Sequence, residues 1–202
     1  MSKIRAAVTA VEGYVPDYIL TNDELSRMVD TNDEWIMTRI GIKERRILKG
    51  EKGPSDMAEI VVKRILEKKN LSPDSIELVI CCTVTPDMVF PATANIIAHK
   101  CGIKNGFGFD VNAGCSGFLY GLTTASKYIE SGFVKRALVI GAEKMSAIVN
   151  YEDRATCPIF GDGAAGVLLE ATEEPYGLMD EILCSDGEGV KHLHQVAGGS
   201  VK

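Results

Sequence analysis

This sequence predicts an α/β fold, a parallel sheet covered by helices on both faces, on the strength of three observations. Between Pro54 and Glu170, segments of strand character alternate with segments of helix character. The runs IELVICCTV and RALVIGAE are near-continuously apolar instead of alternating, as strands buried on both faces must be. Hydrophobic residues make up 46% of the 202 positions and charged ones 25%, enough apolar surface for a sizeable core.

The elements follow in order. KIRAAVTAVEGYV reads as a first strand. TNDELSRMV places Thr21 or Asn22 as an N-cap before acidic first-turn residues, and DTNDEWIMTR repeats that signature, so two short helices come next. PSDMAEIVVKRILEKKN opens on Pro54-Ser55-Asp56 and carries Met57, Ile60, Val61 and Ile65 at amphipathic spacing. IELVICCTV is a buried strand between Pro73 and Pro86, and ATANIIAHKCG is a helix that stops at Gly102. FGFDV is a strand. SGFLYGLTTASKYIE is a helix with Phe118, Leu122, Ala125 and Ile129 on one face, and RALVIGAE is another buried strand. GAAGVLLE and the stretch from Tyr176 to Cys184 read as further strands. The alternation implies right-handed crossovers, with ligands gathering outside the carboxyl ends of the strands. From Asp186 onward the text is polar and Gly-rich with no closing element, so the chain is expected to be truncated, one part of something longer.

Composition excludes several classes. No window reaches the length of a membrane span, and the N-terminus lacks a secretory signal, so a cytoplasmic protein with no membrane partner is expected. A net charge of −6 argues against nucleic acid as a partner. One stretch runs the other way: Arg39 to Lys52 holds six bases against two acids, suited to a phosphorylated ligand, an acidic partner or a solvated loop. The six cysteines lack metal-site spacing and are expected as free thiols, and no metal is predicted. His192 and His194 form an H-x-H pair without further ligands nearby in sequence, while His99 falls in a helical pattern.

Cys115 stands apart. In DVNAGCSGFLYGL it sits where a strand hands over to a helix, between Gly114, Ser116 and Gly117. A thiol there faces unpaired backbone N–H groups and the positive end of the helix dipole, both of which favour the nucleophilic thiolate. Small neighbours match the steric logic of a nucleophile elbow, with Gly117 allowing close packing of helix on strand. A backbone N–H of the turn can then face the oxyanion formed when sulfur attacks a carbonyl. The other five cysteines are expected to be inert core thiols. Gly161 to Gly166 fits G-x-G-x-x-G, but VLLE after it reads as a strand, so glycines in close backbone contact are expected and no dinucleotide cofactor.

Four segments together resemble the β-ketoacyl-acyl carrier protein synthase III family: VDTNDEWIMTRIGIKERRI, DVNAGCSGFLYGL, NYEDRATCPIFGDGAAGVLLE and LHQVAGGS. The resemblance runs through essentially the whole chain. It implies a thiolase-like fold, a mostly parallel mixed sheet flanked by helices. Residues 1–172 would form an N-terminal half carrying the nucleophile, and 173–202 the start of a C-terminal half. It implies that Cys115 takes an acyl group from acyl-CoA as a thioester, which the carbanion of decarboxylated malonyl-acyl carrier protein then attacks. CoA binding falls to Thr31, Trp35, Arg39 and Arg154, and the acyl pocket to Phe90 and Phe160, with Phe90 reaching across a homodimer interface. No cofactor is implied beyond the acyl-CoA and malonyl-acyl carrier protein substrates. The histidine and asparagine used for decarboxylation, and a glycine amide of the oxyanion hole, belong to the second half in that family. None of His99, His192 or His194 matches that histidine, so these residues alone are expected to be defective in condensation. Three rivals stand beside this reading: another thiolase-like acyltransferase of polyketide or alkylquinolone type, an elbow-cysteine hydrolase, and a non-catalytic interaction fragment.

Overall fold

A computed structural model describes residues 4–201 and builds them around a five-stranded sheet. The chain enters through β1 (Arg5–Tyr14), then a short strand β2 (Tyr18–Thr21), and helices α1 (Asn22–Leu25) and α2 (Asp33–Ile40). It continues through β3 (Glu44–Ile47), α3 (Pro54–Lys69), β4 (Leu78–Cys82), α4 (Thr93–Lys100) and β5 (Phe107–Val111). The remaining elements are α5 (Gly117–Glu130), β6 (Arg136–Lys144) and β7 (Asp162–Thr172).

The sheet runs in the order β1-β7-β6-β4-β5, and β2 pairs with β3 in a separate two-stranded ribbon. β4 is parallel to both β5 and β6, whereas β7 is antiparallel to its neighbours β1 and β6. One strand is therefore reversed against the other four, the mostly parallel mixed sheet expected. Helices α3 and α4 cover one face and α5 the other. Along β4 the alternation is visible. Val79 and Cys81 point into the cluster with Met57, Val61, Ile65 and Ile97, while Leu78, Ile80 and Cys82 point into the cluster with Ala125 and Ile129. That two-sided burial is why LVICC carries no polar residue.

Local chemistry sets the helix ends. Pro54 takes the first position of α3, where a missing N–H is harmless, and the Gly53 N–H donates to Asp56 Oδ2 at 2.8 Å. Asn70 closes the helix in the left-handed region at φ 50°, with Lys68 and Lys69 facing the negative end of the dipole. Met57, Val61 and Ile65 are fully buried, each worth about 1.5–3 kcal/mol relative to exposure.

Two expectations are corrected. Tyr176 to Cys184 is not a strand: Gly177 adopts φ 138°, and the segment touches β1 through one backbone bond, Leu178 N–H to Ala6 O at 2.8 Å. Its apolar residues Met179 and Ile182 stay in solvent, so no burial drives it onto the sheet edge. The β2–β3 ribbon was not foreseen either. Two four-residue segments pair across the whole of α1 and α2, a contact without a local signature.

Candidate active site

The loops after β4, β5 and β6 leave the sheet at one end, and the reversed strand β7 begins at that same end, where Lys144 pairs with Asp162. Cys115, Phe90, Arg154 and Phe160 all lie on these loops. Carboxylates at the strand ends hold them in place. Glu143, near the end of β6, accepts from Val84 N–H at 2.7 Å, Thr85 N–H at 3.1 Å, Thr85 Oγ1 at 2.5 Å and Thr83 Oγ1 at 3.2 Å. Asp110 on β5 accepts from the N–H groups of Thr93 and Ala94 at 2.7 and 2.8 Å, anchoring the start of α4. Asp162 accepts from Leu48 N–H, Ser146 N–H and Ser146 Oγ at 2.6–2.8 Å. None of the three was singled out from sequence. The signal was present in an acid that ends or follows an apolar strand run, as in ALVIGAE and FGFD.

The elbow itself is a single 3-10 turn, Gly114–Ser116, between β5 and α5. Gly114 lies in the left-handed region at φ 55°, which costs other L-residues roughly 1–2 kcal/mol. Ser116 and Gly117 donate their N–H groups back to the carbonyls of Ala113 and Gly114. Among the described residues no hydrogen bond engages the Cys115 N–H, so it is available to an incoming oxygen. The close approach of α5 to the sheet is not at Gly117, where an added Cβ would meet Cys82 at an ordinary 3.5 Å. It is one turn later, at Gly121, where a Cβ would lie 2.5 Å from Cys82 Sγ. That corrects the expected role of Gly117.

The six thiols sort by burial. Desolvation pushes Cys82 up to about 12 and Cys101 up to about 11, and raises Cys81 and Cys157 as well. Cys115 and Cys184 are the exposed pair. Cys184 was expected in the core. It lies instead on the segment that did not join the sheet, its carbonyl accepting from Tyr120 Oη at 2.8 Å.

A second group forms around Trp35. Asn32 caps α2 by accepting from Trp35 N–H at 2.8 Å, and the helix stops at Gly41 in the left-handed region. The guanidinium carbons of Arg39 and Arg154 lie 4.9 and 4.8 Å from the indole centroid, so a residue 119 positions downstream of Trp35 joins the i,i+4 pair. Arg154 also bonds Asp30 Oδ2 at 3.0 Å, an exposed pair that yields readily to a ligand. The Thr31 hydroxyl is buried without a hydrogen-bond partner among the described residues. The basic stretch does not act as one surface, because Arg45 is 3% exposed and turned inward, where burial lowers its pKa. Phe90, at 82% exposed, projects from the loop between β4 and α4, and Phe160 is half-buried just before β7. The G-x-G-x-x-G glycines fall on and before β7. A Cβ at Gly161 would meet the Arg46 carbonyl at 3.2 Å and one at Gly166 would meet Val61 and Ile140 at 3.2 Å, the close packing expected.

The family model for 3-oxoacyl-[acyl-carrier-protein] synthase III matches residues 109–187, which include the last three residues of β5, the elbow, α5, β6 and β7. A β-ketoacyl-acyl carrier protein synthase III of Phocaeicola vulgatus is 59% identical over 202 residues, covering 100% of this chain and 60% of that protein. Across its whole length the chain is similar to the β-ketoacyl-acyl carrier protein synthase III family. Solved members of this family share its fold: the synthase III of Pseudomonas aeruginosa superposes with a TM-score of 0.90 at 34% identity, covering 98% of this chain and 62% of that one. The priming β-ketosynthase of the R1128 polyketide pathway follows with a TM-score of 0.81 at 34% identity over 84% of this chain and 51% of that one. The chain spans about 60% of the length of the curated synthase III relatives it matches.

Proposed function

We propose that the whole protein is a 3-oxoacyl-acyl carrier protein synthase III, a condensing acyltransferase that initiates fatty acid synthesis. The observation that carries this reading is Cys115, an exposed thiol on a strand-to-helix elbow with its own N–H unengaged. In the first half-reaction Cys115 Sγ, after losing its proton, attacks the thioester carbonyl of acyl-CoA. The Cys115 N–H faces the oxyanion, the carbonyl re-forms, and CoA leaves as its thiolate, to be protonated. In the second, malonyl-acyl carrier protein loses CO2, and the resulting carbanion attacks the Cys115 thioester. Cysteine thiolate is released together with 3-oxoacyl-acyl carrier protein. No step calls for a resident cofactor or metal.

Trp35, Arg39 and Arg154 would bind the nucleotide end of CoA. Cation–π contact at 4.8–4.9 Å supports this, because an indole that packs against two guanidiniums offers the kind of flat surface a purine would stack on. Thr31, with its unpartnered buried hydroxyl, belongs to the same group. Phe90 and Phe160 are assigned to the acyl pocket. A homodimer is proposed on two grounds: Met88, Val89 and Phe90 protrude together, and β5 is an edge strand. Residues 1–172 form the half that carries the nucleophile and 173–202 lead into a second half, to which the family resemblance assigns the decarboxylating histidine and asparagine. A cytoplasmic location accords with there being, among the described residues, no helix long and apolar enough to cross a membrane.

Mass spectrometry after incubation with acetyl-CoA or isobutyryl-CoA tests the reading. Acyl label is expected on Cys115 and absent from Cys115→Ser. Label reaching Cys184, also exposed, as fast as Cys115 would overturn it, because exposure alone would then explain the reaction.

A further inference from the structure

Arg45 is a buried cation that pairs with no carboxylate among the described residues. It leaves β3 into a small core of Leu20, Leu25, Ile36, Ile47 and Cys157. A hydrocarbon of similar volume would fill that space without the desolvation cost of a guanidinium. The side chain instead makes two directed bonds. Nε donates to the Pro158 carbonyl at 2.7 Å, and Nη1 donates to Asn22 Oδ1 at 2.5 Å, while Nη2 has no partner among the described residues.

Asn22, at 2% exposed, extends the line. Its Nδ2 donates to Asp33 Oδ1 at 2.6 Å and to the Ile42 carbonyl at 2.9 Å. A continuous polar strut thus runs Asp33–Asn22–Arg45–Pro158. Its two ends are informative. Asp33 opens α2, two residues before Trp35, and Pro158 lies four residues after Arg154.

Each end is also locally stiff. Helix α2 is capped at both termini. The turn carrying Arg154 is closed on Asp153, whose carboxylate accepts from Ala155 N–H at 2.9 Å and Thr156 Oγ1 at 2.6 Å, and whose carbonyl accepts from Cys157 N–H at 3.0 Å. Two stiff pieces joined by one strut keep a set spacing. The geometry points to Arg45 and Asn22 as positioning residues that set the distance between Trp35 and Arg154, and thereby the slot for the purine of a CoA-type ligand. The ligand side of this inference rests on the proposed CoA site; the spacing does not.

Trp35 is the single tryptophan of the chain, so its fluorescence and near-ultraviolet circular dichroism report on this spot alone. In the ligand-free protein, Arg154→Ala defines the spectrum of an indole freed from that guanidinium. Arg45→Lys keeps the charge but has one ammonium where two bonds in different directions are needed, and is expected to shift the Trp35 spectrum towards that of Arg154→Ala. Asn22→Ala is expected to do the same. CoA, titrated by Trp35 quenching, should bind both variants about tenfold more weakly, the scale of one lost base–aromatic stack. Acylation of Cys115 by an acyl-pantetheine thioester, which lacks the nucleotide, should keep its parental rate.

A Trp35 spectrum unchanged from the parent in folded Arg45→Lys and Asn22→Ala overturns the strut, whatever CoA does. Parallel loss of CoA binding and of pantetheine-driven acylation overturns it too, since general destabilisation would then suffice. Should Arg45→Lys fail to fold, Asp33→Ala, which removes the acceptor at the exposed end of the strut, carries the same comparison. If instead Arg154→Ala binds CoA as tightly as the parent, the CoA reading fails, and the ligand-free spectra still decide the strut.

Discussion

Gly121 is where α5 presses hardest on the sheet. An alanine there would put its Cβ 2.5 Å from Cys82 Sγ, 3.2 Å from Val139 Cγ1 and 3.3 Å from Ile80 Cγ2. Cys82 is 4% exposed, so its sulfur has little room to rotate away. Two effects oppose each other. Replacing a mid-helix glycine by alanine stabilises the helix by about 1 kcal/mol, and overpacking a tight core costs about 1–3 kcal/mol. The clash wins, with a net loss of about 1 kcal/mol expected for Gly121→Ala. Cys82→Ala removes the shortest of the three contacts, so in that background Gly121→Ala should be close to neutral, a coupling of about 1 kcal/mol or more. Urea denaturation of the parent, both single variants and the double variant measures it. Because α5 begins at the elbow, the single variant should also slow acylation of Cys115. A stabilising Gly121→Ala, or the same penalty in both backgrounds, would refute the argument.

Two further outcomes follow from burial and charge. Burial alone would raise the pKa of Glu170, but hydrogen bonds from Thr9 and Arg136 and the Lys69 ammonium outweigh it and hold the carboxyl at about 2. A folded pKa below the unfolded one adds stability that is fully present above about pH 4.5 and is lost as pH falls towards 2. The contribution is at most about 3 kcal/mol, and Glu170→Gln should flatten the acid limb of the stability profile; an unaltered profile would show that the cluster is not coupled to folding. Iodoacetamide at mildly alkaline pH should alkylate Cys115 and Cys184 in the native protein and reach Cys81, Cys82, Cys101 and Cys157 only after denaturation, because burial raises all four of those thiols. Peptide mapping reads this directly, and native labelling of Cys82 would contradict the packing of α5.

What could be read beforehand depended on how local the cause was. β4 was legible because burial on both faces strips polar residues from a run of five. α3 was legible because its cap, its apolar stripe and its terminal lysines all fall within sixteen residues. The elbow was legible because a left-handed Gly114 and small neighbours are properties of the segment itself. Arg45 was not. In a run of six bases it reads as surface charge, and only Asn22 and Pro158, distant in sequence, reveal it as interior. Gly117 and Gly121 look alike on paper, and the sulfur that distinguishes them comes from another strand. Tyr176–Cys184 has strand-like composition, but backbone φ at Gly177 and the absence of a covering layer decided its course.

The antiparallel pairing of β1 with β7 joins residues 150 to 167 positions apart, from Tyr14 with Ala164 to Arg5 with Thr172. On the ribosome, at about 5–20 residues per second, the partner of β1 emerges roughly 8–30 s after β1 itself. Through that interval β1 has no strand to complete it, while β4, β5 and β6 and the helices between them can already assemble. Closing the sheet is therefore a late event in the life of each new molecule, and the waiting edge of β1, with Val8 and Val11 still half exposed when folding is done, is where a nascent chain is most open to a chaperone or to a neighbour.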